Sequence, residues 1–225
     1  MNGVPTGKSP ADSPGQPTFR CFVAVPVPRE VQSVFASFTE RVKRLLPGYR
    51  FGAPENLHIT LQFLGQVPRS SVEAMKAALE AATKERPPFR VSFLEAGAFP
   101  DRGAPRILHI ASTGGRTSLA SLAGAVRENL RSLGYGDSKP FAAHITLGRE
   151  KKSSGGARYG SAWPNRNTPD IRSLWKDSYR QFLEEEGMKP EWDVTEVLLM
   201  ESILRPGGPL YTPLAASALD GTRVP

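Results

Sequence analysis

Residues 58–61 read His58-Ile59-Thr60-Leu61, and residues 144–147 read His144-Ile145-Thr146-Leu147. The tetrad recurs at an offset of 86. The same offset sets the run Arg20–Val25 on Arg106–Ala111 and the helical stretch 29–46 on 115–133. Further on, Val91–Leu94 matches Val194–Val197 at an offset of 103, so the second half carries 17 extra residues as a longer loop. Such a repeat implies a duplicated β-α-β-α-β unit, with two related lobes facing each other across a cleft about a pseudo-twofold axis.

Working outward, apolar periodicity predicts the elements. Strands are expected at 19–26, 57–64, 89–99, 106–112, 142–149, 192–203 and 210–214. Helices are expected at 29–46, 70–85, 117–133 and 170–186, the first with one apolar stripe of Val31, Val34, Phe35, Phe38, Val42, Leu45 and Leu46. Residues 1–17 are rich in Pro, Gly and Ser and read as a disordered tail. Residues 18–214 read as a single bilobal domain, its repeats spanning 19–100 and 105–203. Residues 151–169 read as a flexible loop and 215–225 as a loose C-terminal tail.

The chain has 225 residues, a formal net charge of +7 and one cysteine, Cys21. One cysteine excludes an intramolecular disulfide framework and a Cys-based zinc site. No stretch of apolar residues is long enough to span a membrane. The first 17 residues lack the apolar core of a signal peptide, so a cytoplasmic protein is expected. The charge suits an anionic partner without naming it.

In a strand, residues i and i+2 share a face. His58 therefore stands beside Thr60, and His144 beside Thr146. If the lobes are symmetric, two imidazoles and two hydroxyls converge in one cleft. Imidazole titrates near neutral pH, so one ring can take a proton while the other gives one. Threonine hydroxyls can donate to phosphate oxygens as charge develops. The set suits in-line attack on a phosphodiester without a metal or cofactor. Two of the chain's three histidines lie in the repeated tetrads.

With these residues in view, the chain resembles the two-histidine phosphoesterase superfamily, specifically the LigT/ThpR-like RNA 2′,3′-cyclic phosphodiesterases. The matching stretches are Arg20–Pro26, Pro54–Val67, Ala98–Arg106, Pro140–Arg149, Val194–Ser202 and Gly208–Tyr211. The resemblance implies an α+β fold, bilobal, with two antiparallel-type sheets lining a central cleft and helices outside. It implies metal-independent hydrolysis of a terminal 2′,3′-cyclic phosphate to a 2′-phosphate. His58 and His144 would be the catalytic pair, and Thr60 and Thr146 would bind the phosphate. For a 2′-phosphate product O3′ must leave; the expected assignment is His58 as general acid to O3′ and His144 as general base to water, with the exchanged assignment standing as the alternative. Expected partners are RNA with 2′,3′-cyclic phosphate ends or nucleotide cyclic phosphates, with no membrane, and the protein is expected to be a monomer. Alternatives on the same fold are a 2′–5′ RNA ligase or a small cyclic-nucleotide phosphodiesterase, and outside catalysis an RNA- or nucleotide-binding module. Ala143 stands where the family commonly has Pro, Gly148 where it often has Ala, and the 151–169 loop is longer than expected.

Further candidates surround the tetrads. Arg149, five residues after His144, suits a phosphate contact. Phe141, Lys152 and His109 are possible substrate contacts. At the offset of 86 His109 falls on Val23, which favours packing. A zinc site from His58, His109 and His144 is disfavoured, because the repeat pairs each tetrad histidine with a threonine. In the loop, Tyr159 and Trp163 lie among Lys151, Lys152, Arg158 and Arg166, a mixture that suits single-stranded RNA. Cys21 reads as a small core residue.

Overall fold

The computed structural model describes residues 17–135, 140–151, 170–206 and 208–222. The elements follow in the order β1 (Thr18–Pro26), α1 (Arg29–Val42), β2 (Tyr49–Phe51), β3 (His58–Pro68), α2 (Val72–Thr83), β4 (Phe89–Ser92), β5 (Glu95–Phe99) and β6 (Ile107–Ala111). They continue with α3 (Arg116–Arg131), β7 (His144–Glu150), α4 (Ile171–Glu186), β8 (Glu191–Val194), β9 (Glu196–Arg205) and β10 (Gly208–Ala218). The fold is the expected mixture of helices and antiparallel sheets, and its larger sheet stays open. Eight strands run β10-β9-β1-β3-β7-β6-β5, with β2 also on β7, and β4-β8 form a separate pair.

The large sheet consists of two four-stranded halves joined at one residue pair, Ile59↔Ile145. That pair carries the offset of 86. The small sheet is centred on Arg90↔Asp193, which carries the offset of 103. The two repeat offsets thus mark the two places where equivalent strands meet across the pseudo-twofold axis. Strands and helices are exchanged across it: β9, from the second repeat, pairs with β1, and β5, from the first, pairs with β6.

A single hydrophobic core lies under one face of the large sheet. Alternation decides the faces. Cys21, Val23 and Val25 of β1, and Leu108 and Ile110 of β6, point into the core. Helices α2 and α3 pack on each other and against β3, β9 and β10. Helix α1 meets α4 through Phe38, whose ring lies 4.9 Å from Trp175 and 4.8 Å from Tyr179. Both polar tips in this cluster are satisfied. Trp175 Nε1 donates to the His109 carbonyl at 3.1 Å, and the Tyr179 hydroxyl donates to the Phe93 carbonyl at 2.7 Å. Asp170 caps α4 by accepting from the Ser173 amide, and Gly187 ends it in the left-handed region with φ 62°.

Several boundaries differ from expectation for physical reasons. Helix α1 ends at Val42, and Leu46 is buried in the turn that follows. The apolar runs 89–99 and 192–203 each divide, because their first parts pair in the small sheet and their second parts join the large one. The last strand continues past Leu214 to Ala218. Leu219 is buried and the Gly221 amide donates to the Arg86 carbonyl, so residues 215–221 are held rather than loose. The tail 1–16 and most of the 151–169 loop lie outside the described residues.

Strand register corrects the repeat alignment at β1 and β6. Ala24, Val25 and Pro26 lie opposite Thr60, Ile59 and His58, while His109, Ile110 and Ala111 lie opposite Thr146, Ile145 and His144. The offset relating these strands is therefore 85, and the equivalent of His109 is Ala24, not Val23. A one-residue slip reverses every face. It moves His109 from the core side to the side of the tetrads.

Candidate active site

His58 and His144 open β3 and β7, one on each side of the Ile59↔Ile145 junction. In an antiparallel pair this register sets His58 across from Thr146 and Thr60 across from His144. Each imidazole is fixed in the same way. His58 Nδ1–H donates to the Asn56 carbonyl at 2.7 Å, and His144 Nδ1–H donates to the Ala142 carbonyl at 2.7 Å. A carbonyl can only accept, so in both neutral rings Nδ1 carries the proton and Nε2 keeps its lone pair. Of the two tetrads, His58 and Thr146 line the cleft over the junction. The short 3₁₀ turn Pro54–Asn56 that supplies one carbonyl is tied to the β9–β10 hairpin by Asn56 Nδ2–H donating to the Pro209 carbonyl at 3.0 Å.

The aromatic supports differ between the halves. His58 lies 4.8 Å from the Phe22 ring and edge-on to Tyr211 at 5.3 Å. His144 stands edge-on to Phe99 at 5.1 Å and to His109 at 5.2 Å. Burial lowers the pKa of both tetrad histidines, their carbonyl partners oppose it, and the positive charge of Arg149 lowers both further. An anion bound between them acts in the opposite sense and helps one ring to hold a proton.

Arg149 reaches this site because β7 bulges. Thr146 faces His109 and Gly148 faces Leu108, leaving Leu147 unpaired. Regular alternation from His144 and Thr146 would turn residue 149 towards the core. The extra residue turns Arg149 to the cleft instead, the re-aiming that bulges commonly perform. β3 has the same irregularity at Leu61, and there Phe63 takes the position equivalent to Arg149. Phe63 is 56% exposed. The two halves thus present an aromatic side chain on one side and a guanidinium on the other.

His109 lies behind His144 and is only 6% exposed. It stacks on Phe99 at a centroid distance of 4.2 Å, and its Nδ1 has no hydrogen-bond partner. Burial, with a smaller contribution from His144, pushes its pKa down to about 3. Phe141 is half-buried and packs against the core. Lys152, Tyr159, Arg158, Trp163 and Arg166 lie outside the described residues. Cys21 is buried, and burial together with Glu201 pushes its thiol up to about 12, which leaves it unreactive. Among the described residues no three His, Cys, Asp or Glu side chains are grouped to hold a metal ion.

A cleft of about 600 Å³ opens over the junction, lined among others by His58, Thr146, Arg149, Tyr211, Arg50 and Arg205. Sequence reading assigned no role to the last three. Tyr211 lies within the Gly208–Tyr211 stretch that carried the family likeness. Arg50 and Arg205 offered no signal, because each becomes notable only through what the fold sets beside it. Among the described residues no helix is long and apolar enough to cross a membrane.

This architecture is shared with solved structures. The structure of TT0787 from Thermus thermophilus superposes with a TM-score of 0.69 at 28% identity, covering 91% of this chain and 100% of that one. Escherichia coli LigT in complex with 3′-AMP shares the fold with a TM-score of 0.66. The LigT-like phosphoesterase family model matches residues 25–109. An RNA 2′,3′-cyclic phosphodiesterase of Archaeoglobus fulgidus is 34% identical over 201 residues, covering 87% of this chain and 97% of that protein. One from Thermus thermophilus is 30% identical over 212 residues, covering 90% and 91%. The chain belongs to the LigT-like phosphoesterase family.

Proposed function

We propose that this protein hydrolyses 2′,3′-cyclic phosphodiester ends of RNA to 2′-phosphates, with His144 and His58 as the base and acid. The observation that carries the reading is the mirrored pair of imidazoles on either side of the Ile59↔Ile145 junction, each with Nδ1–H held by a backbone carbonyl and Nε2 left with its lone pair. The names of the relatives support the substrate class.

In this scheme His144 Nε2 takes a proton from water as the water oxygen attacks phosphorus. A P–O bond forms to water and the P–O3′ bond breaks. His58 Nε2–H gives its proton to the departing O3′, leaving a 3′-hydroxyl and a 2′-phosphate. The Thr60 and Thr146 hydroxyls and the Arg149 guanidinium donate to the non-bridging oxygens, where charge accumulates. Neither proton transfer requires a metal ion. The anionic substrate offsets the burial and the Arg149 charge that lower His58, so His58 holds its proton in the complex.

The test is product analysis on a short RNA ending in a 2′,3′-cyclic phosphate. Either histidine changed to Ala lowers kcat by about 10²–10⁴-fold, the usual contribution of an acid or base. Turnover persists in EDTA and yields a 2′-phosphate. Full activity in either variant, or a 3′-phosphate product, overturns the scheme.

A further inference from the structure

The proposed reaction leaves Arg50 and Arg205 without a part. Arg50 is the middle residue of β2 and lies directly opposite Arg149 on β7. Cross-strand partners project to one face, so both arginine side chains leave the sheet on the same side and both line the cleft. The neighbours of Arg50 hold the strand in this register. Tyr49 is buried and its hydroxyl donates to the Pro105 carbonyl at 2.6 Å, and the Phe51 ring lies 6.2 Å from Trp175. Arg205 ends β9, where the chain turns towards β10, and lines the same cleft.

All three arginines are exposed, and among the described residues none makes an ion pair. The cleft lining offers them one carboxylate, Glu55. Like charges directly opposite in a ladder repel. An anion lying between them removes the repulsion, and a guanidinium fork suits phosphate oxygens. A terminal cyclic phosphodiester carries a single negative charge, which Arg149 answers beside the histidines. Arg50 and Arg205 are surplus to that charge.

We infer that Arg50 and Arg205 form a second phosphate site, which takes the phosphodiester on the 5′ side of the terminal nucleotide. The substrate class is then an oligoribonucleotide with a 2′,3′-cyclic end, in preference to a mononucleoside cyclic phosphate. The inference rests on the cyclic phosphodiesterase activity proposed for the two histidines.

Steady-state kinetics with 2′,3′-cyclic AMP and with a trinucleotide ending in a 2′,3′-cyclic phosphate test it. The unaltered protein is expected to favour the trinucleotide at least tenfold in kcat/KM. In Arg50→Gln/Arg205→Gln that preference falls at least tenfold, chiefly through KM. The logarithmic salt dependence for the trinucleotide becomes shallower by about 0.7 for each phosphate that the variant no longer neutralises. Equal kcat/KM for the two substrates in the unaltered protein overturns the second site, and so does an undiminished preference in the double variant. If the unaltered protein turns over neither substrate, the parent activity itself fails, which separates the two outcomes.

Discussion

Gly97→Ala tests whether the packing behind His144 sets the geometry of the site. Gly97 lies directly opposite His109 in the β5–β6 pair. A Cβ added there would stand 2.5 Å from His109 Nε2 and 2.9 Å from Cε1, where ordinary contact begins near 3.4 Å. The ring must therefore retreat by about 0.9 Å. It has little room, since Phe99 stacks on it at 4.2 Å and His144 stands 5.2 Å away. Its backbone is held by pairing on both sides and by the Trp175 bond to its carbonyl. Overpacking of this kind costs about 1–3 kcal/mol. At this chain length each kcal/mol lowers Tm by about 2–4 °C, so a fall of roughly 2–12 °C is expected. A displacement near 1 Å, passed on to His144, costs up to about 10²-fold in kcat. Thermal melts and hydrolysis of a cyclic-phosphate end measure the two effects. Gly124→Ala on α3 is the matched control, because an added Cβ there meets nothing within 4 Å. In a His109→Ala background the cost of Gly97→Ala should vanish. An unchanged Tm and rate in Gly97→Ala, or the same cost in both backgrounds, refutes the reasoning.

His109→Phe keeps a ring in that slot but removes both a titratable group and a buried unpartnered nitrogen. Burial holds His109 down to about 3, against an ordinary 6.5 when unfolded, so between these values the unfolded chain binds the extra proton and stability falls as pH falls. Two units below 6.5, at pH 4.5, this amounts to about 2–3 kcal/mol. Urea unfolding at pH 7 and 4.5 should show that much less acid loss in the variant, and equal losses would refute it. In the free protein both tetrad histidines are lowered by burial, so the acid limb of kcat/KM is expected below pH 6.5. In the kcat profile the bound phosphate moves the ionisation of the acid upward, and coincident kcat and kcat/KM profiles would count against that. Arg149→Gln removes a positive charge that depresses both rings, so NMR titration should show the His58 and His144 pKa values rising together. Its loss as a phosphate donor should lower kcat about 10²-fold. Unmoved titration curves would mean that the bulge does not bring Arg149 to the pair.

The repeat was legible because it is local: two identical tetrads, and two offsets that the fold realises as the pairs Ile59↔Ile145 and Arg90↔Asp193. Alternation also set each histidine beside its threonine. What could not be read is what a bulge does. After Leu61 and Leu147 the alternation reverses, and nothing in either tetrad announces the extra residue. That reversal brings Arg149 to the cleft face. The register of β1 and β6 likewise moves His109 there and replaces its partner Val23 with Ala24. Strand β2, only three residues long, is too short for any period, so the adjacency of Arg50 and Arg149 is a product of long-range pairing alone. These unread positions bear directly on the chemistry. Two identical tetrads related by a twofold axis cannot by themselves divide acid from base. Any division must come from equivalent positions that hold different side chains, and among those the fold provides are Phe63 against Arg149 and Ala24 against His109. The repeat therefore accounts for why two histidines meet, and the departures from it carry whatever makes them unequal.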